Sequence, residues 1–375
     1  MVPIQMVDLK RQYAKIKSQV DVAMQEVLES AAFINGAPVQ MFGKELENYL
    51  GIKHVINCAN GTDALQIAMM AAGLQPGDEV ITPSFTFIAT AEVIALLNLK
   101  PIFVDVDPQT YCIDPGKIEA AITPKTKAIV PVHLYGHVCD MDAIMEIADK
   151  HQLLVIEDNA QAIGADYTSK DGSVKKAGTI GHIGCTSFFP SKNLGCYGDG
   201  GALFTNDDAL AAQIRMVANH GQSARYYHDV VGVNSRLDTL QAVVLRIKLP
   251  LLDSYIQARR KVADTYDAAF ANHPKIVTPF RAAYSYHVFH QYTLQIEGAD
   301  RLALQTYLQE KQVPAMIYYP VPAHKQKMFA AFGSSAFNLP ITDELTTKVI
   351  SLPIHTEMDE DQQSHIIESV LSFLK

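Results

Sequence analysis

Apolar positions set the rhythm of this chain. Between about residues 30 and 245, a short apolar run, a polar or glycine-bearing turn and a stretch with apolar residues at helical spacing follow one another repeatedly. That alternation predicts strands and helices taking turns in an α/β sheet. The runs read as strands cover residues 55–58, 79–81, 101–106, 128–132, 153–156, 185–189 and 201–205. Most are apolar throughout, as strands covered on both faces have to be. Residues 63–72 and 141–151 carry helical spacing, and Gln75-Pro76-Gly77-Asp78 is a turn.

Beyond residue 245 the pattern changes to a long helical stretch at 249–271, a strand-like run at 291–296 and a helix at 300–311. This predicts a large α/β domain over 1–245 and a smaller α+β domain over 246–375. Within the first, residues 1–30 form an N-terminal segment, apolar at Tyr13, Ile16, Val20, Met24, Val27 and Leu28, that packs near the small domain. Two domains suit a chain of 375 residues.

Composition then removes function classes. Apolar residues at 48% and charged residues at 19% belong to a folded chain rather than a disordered one. A formal charge of -9 and no basic run leave no electrostatic footprint for nucleic acid. Five cysteines, odd in number and without CxxC spacing, suggest neither a disulfide framework nor a zinc ribbon, and a reducing cytoplasm suits them. The N-terminus lacks the apolar core of an export signal, and no apolar stretch approaches the roughly 20 residues of a membrane span. A cytoplasmic protein with no membrane partner is expected.

In open α/β sheets ligands bind outside the carboxyl ends of the strands, so candidate chemistry is sought there. Asn60-Gly61-Thr62 closes one strand and opens a helix, where backbone N–H groups and a hydroxyl suit a phosphate; the same residues also suit a plain helix cap. Neither GxxxxGK nor GxGxxG follows any strand, which disfavours nucleotide hydrolysis and hydride transfer. Asp158 follows the very apolar 153–156 run and needs a cationic partner there: a metal ion, an arginine or a protonated ring nitrogen, unless it only caps the next segment. Lys192 stands between Phe188-Phe189-Pro190 and Gly195. Desolvation there would free its amine as a nucleophile, although most lysines are solvated surface charges. His133, His137 and Cys139 lack the paired spacing of a zinc motif, and no metal is expected.

With these residues on the page, the chain resembles the DegT/StrS family of pyridoxal 5'-phosphate (PLP) dependent nucleotide-sugar aminotransferases. The likeness runs through Asp8-Leu9, residues 60–65, Glu157-Asp158, residues 187–192, residues 232–241 and Ser351-Leu352-Pro353, in the family's order. It implies the fold-type I architecture, a mostly parallel mixed sheet between helices with a smaller α+β domain. It also implies that Lys192 carries the cofactor as a Schiff base and moves the proton, with Asp158 at the pyridine nitrogen and Gln161 at the phenolic oxygen. Phe87 would stack on the ring, and Gly61, Thr62 and Ser187 would hold its phosphate. A homodimer with shared active sites follows, in which Asn234 reaches the partner's cofactor phosphate. Arg236 binds substrate phosphate or carboxylate, or serves as an interface ion pair.

His133, Tyr318 and Tyr319 complete the substrate side of the resemblance. Because Lys192 is kept where dehydrating relatives carry histidine, amino transfer is implied, with the cofactor passing through its pyridoxamine form. The run 186–201 and the segment 220–242 look most like the branch that aminates UDP-2-acetamido-2-deoxy-3-oxo-glucuronate with glutamate as donor, for O-antigen or other surface polysaccharide. Enzymes of dTDP-3-oxo-6-deoxyhexoses are the alternative. Tyr318 stands where the glucuronate branch commonly has histidine, and Asn193 where it tends to have proline. A regulatory protein that keeps the fold without the reaction is the reading from another class; loss of Lys192 or Asp158 would be its mark, and both are present.

Overall fold

A computed structural model describes residues 3–375. Its centre is a seven-stranded sheet of β1 (His54–Cys58), β2 (Glu79–Pro83), β3 (Lys100–Val104), β4 (Thr126–Ile129), β5 (Leu154–Asp158), β6 (Ile183–Ser187) and β7 (Gly201–Thr205), ordered β1-β7-β6-β5-β4-β2-β3. Neighbours from β6 through β5, β4 and β2 to β3 pair in parallel, whereas β7 runs antiparallel to both β6 and β1. The carboxyl ends of β1, β2, β4, β5 and β6 therefore share one edge. The mostly parallel mixed sheet agrees with the architecture read from the sequence.

Consecutive strand residues feed opposite faces, as pleating requires. Ile81, Ile129 and Val155 enter one apolar cluster, and Val80, Ala128, Val130 and Ile156 enter the other. Helices cover both faces: α2 (Ala37–Leu50), α5 (Pro115–Ala121), α6 (Met141–His151) and α8 (Thr239–Lys248) border the first, while α3 (Gly61–Ala71), α4 (Ala89–Leu96) and α7 (Asp208–Ala218) cover the second. Two short antiparallel ribbons, 166–168 with 174–176 and 222–224 with 227–228, project from this frame.

After α8 a single 3-10 turn leads into α9 (Leu252–Phe270). A second antiparallel sheet of β8 (Ile276–Val277), β9 (Tyr292–Ile296) and β10 (Val349–Leu352) follows, with α10 (Arg301–Glu310), α11 (Pro340–Lys348) and α12 (Glu360–Leu374). Tyr266, Phe270, Leu294, Leu304, Ile350 and Ile366 give it an apolar cluster of its own. Residue 245, where the sequence pattern changes, lies inside α8. The N-terminal helix α1 (Leu9–Ser30) touches both parts: Ile16 and Val20 rest on Val244 of α8, while Arg11 and Lys15 reach Asp359 and Glu357 at 3.5 and 2.5 Å. No helix among the described residues is long and apolar enough to cross a membrane.

Candidate active site

β5 ends on Asp158, whose side chain is buried at the strand edge. Its carboxylate accepts from the Thr90 hydroxyl at 2.7 Å through Oδ2 and from the Ala160 N–H at 3.1 Å through Oδ1. Thr90 is fully buried on α4, and its Oγ1 also lies 3.1 Å from the Thr86 hydroxyl. The hydroxyl thus orients Asp158 without neutralising it. Sequence reasoning passed over Thr90; the available signal was a lone hydroxyl in the first turn of a mostly apolar helix.

Lys192 lies just beyond β6, in a turn closed by its own N–H donating to the Phe189 carbonyl at 2.8 Å. The side chain is half-buried, and loss of hydration pushes its pKa down to about 8 against the opposing pull of the Asp158 charge. The lysine thus feels the charge of the buried carboxylate and is weakly held in its charged form. His290 is buried beside them. Burial first, then the charges of Lys192 and Arg259, hold it well below the usual imidazole range, and its Nδ1 has no hydrogen-bond partner among the described residues.

The start of α3 packs against the end of β6. Asn60 caps the helix, its Oδ1 accepting from the Asp63 N–H at 2.8 Å, so the N–H groups of Gly61 and Thr62 point out of the first turn without intrahelical partners. The cap and the phosphate readings of this motif therefore fall on different residues. A Cβ on Gly61 would stand 2.7 Å from the Cβ of Ser187, which is why glycine occupies the position. Gly61, Thr62 and Ser187 thus form one concave rim at the positive end of α3.

Gln161 is buried between two elements: its Oε1 accepts from the Tyr135 N–H at 2.7 Å and its Nε2 donates to the Tyr319 hydroxyl at 3.1 Å. Tyr135 in turn donates to the Tyr318 carbonyl. Phe87 is 52% exposed, with its ring 6.1 Å from that of Tyr319. Lys192, Asp158, Gln161, Phe87, Tyr318 and Tyr319 are thus gathered at the same sheet edge as the Gly61–Ser187 rim.

Other expected residues stand elsewhere. The His133 side chain is fully buried, its Nε2 2.8 Å from Glu157 Oε2 and its Nδ1 accepting from the Cys139 N–H at 3.2 Å. Both ring nitrogens thus have partners inside the core. Glu157 itself takes N–H bonds from Gly178, Ile180 and Gly181 at 2.8, 2.7 and 2.5 Å. Asn193 is likewise buried, donating to the Val288 carbonyl at 3.0 Å, so it anchors the lysine loop rather than lining the opening. Asn234 and Arg236 pair with each other at the surface, Nε to Oδ1 at 2.8 Å. Between them Ser235 turns inward, donating to Asp63 at 2.6 Å and accepting from the Ala59 N–H at 2.9 Å.

A lysine beyond one strand end and a buried carboxylate at another, beside a helix-terminus rim on this sheet order, suit an enzyme that works on a bound cofactor. The chain belongs to the DegT/DnrJ/EryC1/StrS aminotransferase family, whose model matches residues 14–371. It is 49% identical over 356 residues to the UDP-2-acetamido-2-deoxy-3-oxo-D-glucuronate aminotransferase of Pseudomonas aeruginosa, covering 95% of this chain and 96% of that one. It is 46% identical to the "Pleiotropic regulatory protein" of Geobacillus stearothermophilus, covering 99% of each. Among solved structures, S. venezuelae DesV in complex with ketimine intermediate superposes with a TM-score of 0.94 at 37% identity, covering 100% and 99% of the two chains. The ntda protein of Bacillus subtilis with bound cofactor PMP gives 0.92 at 32%, covering 100% and 86%.

Proposed function

We propose that the chain binds pyridoxal 5'-phosphate and transfers an amino group from glutamate to a nucleotide-linked 3-keto sugar, UDP-2-acetamido-2-deoxy-3-oxo-glucuronate. The observation that carries this reading is Lys192, its pKa lowered to about 8 by burial against the opposing charge of buried Asp158, beside a rim that only glycine at 61 permits. The residues present fit the cofactor: an anion for its ring nitrogen, an amine for its aldehyde and a helix terminus for its phosphate. When bound, it supplies a conjugated ring that takes up the electrons left on a carbon that loses its proton.

The chain's own groups do the rest. Asp158, steadied by Thr90, would hold a proton on the ring nitrogen. The Lys192 amine would carry the proton between the substrate carbon and the cofactor carbon joined to the amino nitrogen. Gln161 would bond the phenolic oxygen, Phe87 would cover the ring face, and Gly61, Thr62 and Ser187 would hold the phosphate. Tyr318 and Tyr319 line the sugar side, and Arg236 offers a planar fork to a carboxylate or phosphate.

The 49% relative supports the glucuronate, and use of the product in a surface polysaccharide belongs to the same proposal. Tyr318 favours the second reading, a dTDP-3-oxo-6-deoxyhexose, because a phenol replaces the histidine expected beside a sugar acid. A homodimer sharing its sites, in a cytoplasm whose reducing state suits five unpaired buried thiols, belongs to the same proposal. So does a division into residues 1–245 and 246–375, supported by the separate apolar cluster of the second part.

The test is the absorbance of the PLP-loaded protein during addition of UDP-2-acetamido-3-amino-glucuronic acid, the expected product. Loss of the lysine-bound absorbance, absent in Lys192→Ala, supports the whole reading. A band indifferent to this sugar but bleached by a dTDP-3-amino sugar moves the substrate to the second reading. Failure to form any lysine-bound band overturns the cofactor and leaves a regulatory role.

A further inference from the structure

Lys248 is a lysine that the proposed chemistry does not use. It ends α8 with 1% of its surface exposed, and no carboxylate among the described residues lies within ion-pair distance of it. Burial pushes its pKa down to about 8, with Cys196 opposing, so it is still largely a cation at neutral pH. An unpaired cation in a protein interior is costly, and a methionine would fill the same volume without that cost. What the ammonium does have is a carbonyl and a ring: Nζ donates to the Gly195 oxygen at 2.8 Å and sits 4.5 Å from the Tyr197 ring centroid.

Both partners belong to the loop that carries Lys192. At Gly195 that loop folds back on itself, since a Cβ there would come within 2.4 Å of the Pro190 carbonyl. The fold-back is closed by the Cys196 N–H donating to the Phe188 carbonyl at 2.8 Å. A donor fixing the Gly195 carbonyl therefore fixes the chain on both sides of Lys192. The same helix takes a second hold. Gln241, seven residues earlier and so on the same face of α8, accepts from the Tyr197 N–H at 2.8 Å.

We propose that Lys248 is a positioning residue for Lys192: its buried ammonium, held between the Gly195 carbonyl and the Tyr197 ring, fixes the lysine loop against α8 and so sets where the Lys192 amine stands relative to Asp158. The inference rests on the proposed role of Lys192 for its kinetic consequence only.

Lys248→Met removes the donor while keeping the stem, and Lys248→Arg keeps charge and donors. The first readout needs no cofactor: reductive 13C-methylation of the apoprotein followed by NMR titration, with the Lys192 signal assigned by its loss in Lys192→Arg. The wild-type signal titrates near the low value of about 8 set by burial. In Lys248→Met it moves up toward the ordinary lysine range as the loosened loop lets water in, and Lys248→Arg restores most of the difference. In the loaded enzyme Lys248→Met lowers kcat about tenfold or more, with KM for the sugar changed less than about twofold, because misplacement of a reacting group costs turnover rather than binding.

A folded Lys248→Met protein whose Lys192 titrates as in wild type overturns the proposal. Should Lys248→Met fail to fold, Tyr197→Leu, which removes the ring under the ammonium, decides by the same titration: a shift in the same direction supports it and an unmoved signal overturns it. Failure of the cofactor reading would show as a missing lysine-bound band and leave the apoprotein titration standing.

Discussion

Burial presses the Lys192 ammonium toward its neutral form, while the Asp158 charge pulls the other way, and burial wins. The sign of the pH dependence follows. A lysine that titrates near 8 when folded and near 10.5 when unfolded binds fewer protons in the folded state between those values, so its contribution to stability rises with pH across that window. The neutral amine is also the form that attacks an aldehyde. The rate at which apoprotein captures PLP, followed by absorbance, is therefore expected to climb through about pH 8 and level off above it. A rate still rising steeply at pH 10 would show an ordinary, hydrated lysine. The placement of Lys192 and Asp158 was legible in the sequence because Asp158 closes one apolar strand and Lys192 follows another after a short loop, so that strand direction carries both toward one edge. Thr90 was not, and neither was the Glu157 partner of His133, because which way a buried hydroxyl or imidazole turns depends on the neighbours it meets.

At the scale of elements, the strand ends mattered more than the strand lengths. The run at 128–132 reads as one apolar strand, yet β4 stops at Ile129, since Pro131 has no N–H for the ladder and its carbonyl instead accepts from the Asp158 N–H at 2.9 Å. That exchange ties the end of β4 to the residue at the heart of the site. The α3 terminus is as exacting. Its glycine was legible as a turn signal, but the need for it comes from Ser187, which lies 126 residues away in sequence and cannot be seen in a local pattern. Gly61→Ala would force α3 away from β6 by adding a methyl where 2.7 Å is available. Overpacking of this kind costs about 1–3 kcal/mol, so a lower melting temperature is expected. The displaced N–H groups would also hold phosphate less well, weakening PLP affinity by about tenfold or more, roughly one strong hydrogen bond. Titration of apoprotein with PLP checks this. Unchanged affinity would remove the rim from the phosphate site.

On the scale of the whole molecule, one surface asks for a partner. Tyr226, Tyr227 and Val231 are 78%, 69% and 84% exposed on and beside the ribbon that precedes the Asn234–Arg236 segment, an apolar exposure that water does not favour. Within the chain Ser235 fastens that segment to Asp63 at the α3 terminus, so the segment stands close to its own phosphate rim as well. The sequence resemblance implies delivery to a second subunit, and the Ser235 hold offers delivery within the same chain. Mixing subunits chooses between them. Lys192→Ala and Asn234→Ala proteins, each inactive alone, would be unfolded together, refolded as a mixture and assayed. If each site combines Lys192 of one chain with Asn234 of the other, a mixed dimer has one intact site and one doubly broken site. Random pairing in a two-fold dimer then restores about a quarter of the wild-type activity. If each chain completes its own site, every site in the mixture lacks one of the two residues and nothing returns. Recovery would assign the exposed ribbon to a dimer interface on which catalysis depends, and its absence would leave Asn234 serving the rim beside which Ser235 already holds it.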